Sequence, residues 1–188
     1  MPFYLDEKDV VPEVAGCESV LIVPCRFCPA ASTAVQSSEP YIEFPRRGLK
    51  TASYERLIEA MRAGLVERGI KTDVFRSRSL HQFVLCMWSS KRRKQLLERA
   101  KKYEALVVVG CEAAVETVRD AVRSTGCRVI QGMKTRGVMS IQPRFRLPCN
   151  IRLELQGVSP TLFPGPVPTD GPQVSDLRSQ RNTLSASR

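Results

Sequence analysis

Val20-Leu-Ile-Val23-Pro24-Cys25-Arg26-Phe27-Cys28-Pro29 and Leu106-Val-Val-Val109-Gly110-Cys111-Glu112 follow one pattern: four apolar residues, a Pro or Gly, then cysteine. Short runs of this kind, rich in β-branched residues and bounded by turn formers, are the signature of strands buried on both faces. If both are parallel strands of one sheet, three thiols converge at its carboxyl edge, where open α/β folds place their ligands.

Between and after these runs the period changes to 3.6. Leu57, Ile58, Met61 and Leu65 form a helical stripe that predicts a helix over 51–68, stopped by Gly69. Ser89 or Ser90 caps a second helix reaching about Tyr103, with Leu96, Leu97 and Ala100 inward. Val115, Val118, Ala121 and Val122 mark a third over 112–124, stopped by Gly126. Further strands are expected at 71–75 and 127–130, and the continuous apolar run Phe83–Trp88 reads as a buried strand with a helix as the alternative.

From Met139 to Leu155 the period becomes two, which predicts half-buried antiparallel edge strands with Pro143 and Pro148 as breaks. Alternating strands and helices imply a mostly parallel sheet with helices on both faces. The expected fold is a small Rossmann-like or flavodoxin-like α/β domain over 19–157, with an antiparallel C-terminal strand extension. Residues 1–18 read as an irregular lead-in and 158–188 as a flexible Pro/Ser-rich tail.

The chain has 188 residues, enough for one real core, and is 43% apolar and 26% charged, as ordinary globular proteins are. No apolar stretch approaches the roughly 20 residues of a membrane helix, and the acidic start lacks a secretory h-region, so the expected compartment is the cytoplasm. Seven cysteines, an odd number, then argue against a disulfide framework. With His81 as the sole histidine, His-rich metal centres are excluded.

Three uses of the thiols follow. Metal ligation by zinc or an iron–sulfur cluster needs soft ligands, for which Cys25, Cys28, Cys111 and Cys86 are the candidates, in a redox, electron-transfer or accessory subunit. A thiol-dependent oxidoreductase or transferase would use Cys25 as nucleophile and Cys28 as resolving thiol, although Pro40, Pro45 and the Ser/Thr-rich stretch leave little room for a long helix after Cys28. In the metal-site use Arg26 and nearby backbone N–H groups are expected to stabilise thiolates. Cys17, Cys127 and Cys149 read as small buried hydrophobes. Glu112 and Glu43 are assigned ordinary surface roles, and no catalytic acid or base is identified.

Charge is concentrated between Phe44 and Tyr103, with sixteen Lys or Arg against five Asp or Glu, while the net charge of the whole chain is +10. Arg46, Arg47, Lys50, Lys91, Arg92, Arg93 and Lys94 are the candidate contacts for an acidic protein or a phosphate-bearing ligand. A basic nucleic-acid or nucleotide-binding module is the further alternative. It has no recognisable motif behind it: Gly-x-Gly-x-x-Gly and the P-loop are both missing.

Overall fold

The computed structural model describes residues 2–44, 48–76, 84–146 and 150–160. The elements are β1 (Phe3–Glu7), a helical turn α1 (Val11–Val14), β2 (Ser19–Pro24), α2 (Cys28–Gln36), β3 (Ile42–Glu43), α3 (Ala52–Val66), β4 (Lys71–Val74), α4 (Ser90–Ala100), β5 (Ala105–Val109), α5 (Glu112–Ala121), β6 (Arg128–Gln131), β7 (Met133–Arg146) and β8 (Asn150–Pro160). They form two separate four-stranded sheets.

The parallel sheet has the order β4-β2-β5-β6. Its central strands are the two quoted runs, and Val20 to Val23 and Ala105 to Val109 are each fully buried. That explains their unbroken apolar character, since a strand covered on both faces has no polar side. Helices α2 and α3 pack together, as do α4 and α5. From β2 the chain runs to β4 on one flank and then crosses to β5 on the other, which puts a reversal of strand order between β2 and β5.

The late period-two segment forms its own antiparallel sheet, in the order β1-β7-β8-β3. It does not extend the parallel sheet, and this corrects the expected single sheet with a strand extension. The expected irregular lead-in is also corrected: Phe3 to Glu7 pair with β7 from Val138 to Met133. A five-residue strand whose partner lies over a hundred residues away leaves little local signal. β8 runs to Pro160, three residues past the expected domain end, while the tail from 161 onward lies outside the described residues.

Gly137 shows how closely the β7–β8 hairpin packs, since a Cβ there would collide with the Ser159 carbonyl oxygen. Beyond Ser140 the hairpin leaves the core. Pro143 lies in this part of β7, which pairs with β8 alone and so needs no N–H on its other edge, and Phe145 is 76% exposed. Pro148 and Cys149 lie outside the described residues.

The expected strand Phe83–Trp88 is a third correction. Phe83 lies outside the described residues, and Leu85–Met87 form a single 3-10 turn with Leu85 fully buried and Met87 80% exposed. The run is apolar because Leu85 and Trp88 plug the core, not because it pairs in a sheet. Among the described residues no helix is long and apolar enough to cross a membrane.

Candidate functional site

Cys25 follows β2, Cys28 opens α2 and Cys111 stands between β5 and α5, so all three lie at the carboxyl edge of the parallel sheet where strand order reverses. The register places them: Pro24 pairs with Val109, and the Cys25 N–H donates to the Val109 carbonyl at 2.9 Å. Gly110 makes the approach possible. A Cβ on it would lie 2.7 Å from the Ala114 Cβ and 3.3 Å from the Cys25 Cβ.

After Cys28 comes a nine-residue helix, α2, in the segment where Pro40, Pro45 and the Ser/Thr content leave little room for a long one. Its signal was present in Cys28-Pro29-Ala30-Ala31, because proline in the first turn is preorganised for a helix and alanine propagates it. The Ser/Thr content that reads as loop is accommodated by back-bonding. Ser32 Oγ lies 3.0 Å from the Cys28 carbonyl and Thr33 Oγ1 donates to the Ala30 carbonyl at 3.1 Å. Ser32 is fully buried and also accepts the Leu5 N–H at 3.0 Å, which fastens the antiparallel sheet to the helix that carries Cys28.

Cys28 and Cys111 are hydrogen-bonded side chain to side chain. The Cys28 thiol donates to the Cys111 sulfur, and this contact holds Cys111 below its ordinary value; burial opposes the shift, while the Ala114 and Ala113 N–H groups at the start of α5 reinforce it. Cys28 is driven the opposite way by the same bond and then by burial. The pair thus favours the thiolate at Cys111 and the protonated thiol at Cys28.

Cys25 is 3% exposed, and burial raises it to about 11, against the hydrogen bonds its sulfur accepts from the Leu85 and Phe27 N–H groups. At neutral pH it is a protonated thiol, so the nucleophile of a thiol enzyme at this site would be Cys111. Cys86 is exposed and raised by burial of its sulfur and by the charge of Cys111. Cys25 likewise feels Cys111 and Cys86, and Cys28 feels Cys111 and Cys25. The four candidate thiols thus occupy one electrostatic neighbourhood, drawn from three separate stretches of chain. They are not gathered into a ligand set: among the described residues no three His, Cys, Asp or Glu side chains are grouped so as to hold a metal ion.

No known protein family matches the chain. Neither a curated protein nor a solved structure is detectably similar to it.

Two tyrosines neighbour the site. Tyr54 is fully buried on α3 and its hydroxyl donates to the Val109 carbonyl at 3.2 Å, while burial raises Tyr41 to about 12, followed by the charges of Cys28 and Cys25. Neither was found from sequence, where both sit among ordinary helix and loop residues. Tyr54→Phe removes one buried hydrogen bond and is expected to cost about 1 kcal/mol by urea unfolding. An unchanged midpoint would mean the hydroxyl does not tie α3 to the cysteine edge.

Arg26 does not serve the thiolates, because its guanidinium is paired with Glu55. Glu112 accepts hydrogen bonds from Gln131 at 3.3 Å and Thr135 at 2.6 Å, a structural role. Cys127 donates to the Tyr103 carbonyl at 2.9 Å and Cys17 accepts from Arg128 at 2.6 Å, so both are used in packing.

Among the described residues the basic candidates differ in exposure and pairing. Lys50, Lys91 and Lys94 are exposed, but Arg93 is engaged with Asp120 at 2.7 Å, and Arg92 is buried. Arg46, Arg47 and His81 lie outside the described residues.

Proposed function

We propose that the chain is a cytoplasmic cysteine-site protein in which Cys25, Cys28, Cys86 and Cys111 bind a soft metal, zinc or an iron–sulfur cluster, for a redox, electron-transfer or accessory role. The observation that carries this reading is that Cys25, Cys28 and Cys111 lie at one sheet edge, with Cys86 within electrostatic reach of Cys25 and Cys111. Packing alone does not require thiols to meet, whereas zinc and iron–sulfur clusters take three or four of them. Binding would draw the sulfurs closer, and the exposed turn carrying Cys86 is the part with freedom to do so. The order β4-β2-β5-β6 supports a doubly wound, flavodoxin-like reading of the parallel half, with its ligand crevice at the β2/β5 reversal. An acidic partner would dock through exposed lysines such as Lys50, Lys91 and Lys94.

The test is metal and acid-labile sulfide content with an absorption spectrum, on protein purified without oxygen, beside Cys25→Ser/Cys28→Ser. Near-stoichiometric zinc or iron in the native chain, lost in the variant, is the expected result. Metal-free native protein sinks the proposal.

A second reading rests on the Cys28–Cys111 hydrogen bond. The Cys111 thiolate would attack a substrate disulfide and expel one thiolate, and Cys28 would then displace the other, leaving a Cys28–Cys111 disulfide and a reduced substrate. Metal-free protein that reduces a small disulfide, and loses that activity in Cys111→Ser, favours it.

A further inference from the structure

Arg92 is only 8% exposed, yet among the described residues its Nε and Nη2 atoms have no hydrogen-bond partner. Its Nη1 donates to Gln95 Oε1 at 2.8 Å. Its guanidinium carbon lies 4.2 Å from the Phe75 ring centroid and 5.1 Å from that of Trp88, so two aromatic faces hold the group. Burying an arginine without a counter-charge is costly, and cation–π contacts offset only part of that cost.

The free atoms are informative in themselves. Nε and Nη2 form one edge of the guanidinium, with two parallel N–H groups spaced for the two oxygens of a carboxylate or phosphate. No carboxylate contributes to the shift of this group, whose guanidinium burial alone pushes down from its ordinary value. Position adds a second argument. Phe75 follows β4, and its N–H bonds the Ile22 carbonyl at 2.8 Å, so the stack lies toward the same carboxyl edge as Cys25. Trp88 is two residues past Cys86, and Arg92 itself lies in the first turn of α4, whose Ser89 cap makes no side-chain hydrogen bond to the helix.

We propose that Arg92 is the anchor of an oxyanion subsite beside the cysteine edge, taking two oxygens of a carboxylate or phosphate on a small ligand. Phe75 and Trp88 hold the guanidinium plane, and Gln95 fixes its rotation, so that the Nε/Nη2 edge is preorganised. The edge is covered in the free chain, and the ligand's oxyanion takes over the place of that cover. This explains cations at the start of α4, where the helix dipole disfavours them: a bound anion compensates both dipole and guanidinium. The subsite does not depend on whether the thiols hold metal.

Calorimetric titration of the full chain with inorganic phosphate, and separately with malonate, tests it. One probe is expected to bind saturably at one site, which also distinguishes a phosphate from a carboxylate ligand. Arg92→Lys keeps the charge but loses the two-pronged edge, and should weaken binding about tenfold or more. Arg92→Met should abolish it, while Lys101→Met, exposed at the far end of α4, changes it less than about twofold. The proposal is overturned if neither probe binds the native chain saturably, or if Arg92→Lys binds as tightly as the native chain. Arg92→Lys decides the matter even if the methionine variant does not fold.

Discussion

In Cys28→Ala, Cys111 is expected to titrate about one pH unit or more above its position in the native chain, followed by ultraviolet thiolate absorbance against pH. The sign follows from the balance at that sulfur. The Cys28 thiol is the main influence holding Cys111 below its ordinary value of 9.0, and it favours the thiolate by donating to it. Without it, burial and the neighbouring Glu112 charge raise Cys111, and only the Ala114 and Ala113 N–H groups still lower it. A shift of one unit is about a tenfold loss of thiolate at neutral pH. Alanine is the right replacement, because a serine hydroxyl would go on donating. Titration at an unchanged pH would show that the start of α5 sets the Cys111 charge and that the paired thiols are incidental.

Gly110→Ala is expected to lower stability by about 1–3 kcal/mol, the usual cost of overpacking a close-packed site. Its Cβ would lie 2.7 Å from the Ala114 Cβ on α5, a fixed part of the helix that cannot swing away as a long side chain would. The strain reaches the site because the same Cβ stands 3.3 Å from the Cys25 Cβ. The α5 start must back away from β2, stretching the spacing between Cys25 and Cys111. Urea unfolding measures the loss, and an alanine variant as stable as the native chain would refute the close-packed edge. At Gly69, by contrast, φ is +78° with nothing within 4 Å, so alanine there would test backbone conformation alone.

Much of the parallel half was legible because its signals are local. Val20–Val23 and Leu106–Val109 announce buried strands by composition, and α3 announces itself by a 3.6-residue stripe ended at Gly69. α2 was misread because its Ser and Thr residues read as loop from composition alone, whereas in place their hydroxyls bond the carbonyls of their own helix. Phe83–Trp88 was misread because apolar content reports burial and carries no statement of the element that achieves it.

By itself the sequence determined the buried parallel strands, the helices between them and the arrival of Cys25, Cys28 and Cys111 at strand ends, because these depend on periodicities within a few residues. Only the tertiary structure decided that β1 and the late hairpin make a separate sheet, that Cys28 donates to Cys111 and that Arg92 is buried with two N–H groups unpaired. Those facts depend on which distant segments meet: Phe3 with Val138, Cys28 with Cys111, Arg92 with Phe75. Burial at such meetings decides what charge or proton each group keeps, and that burial is not encoded in any single stretch of chain.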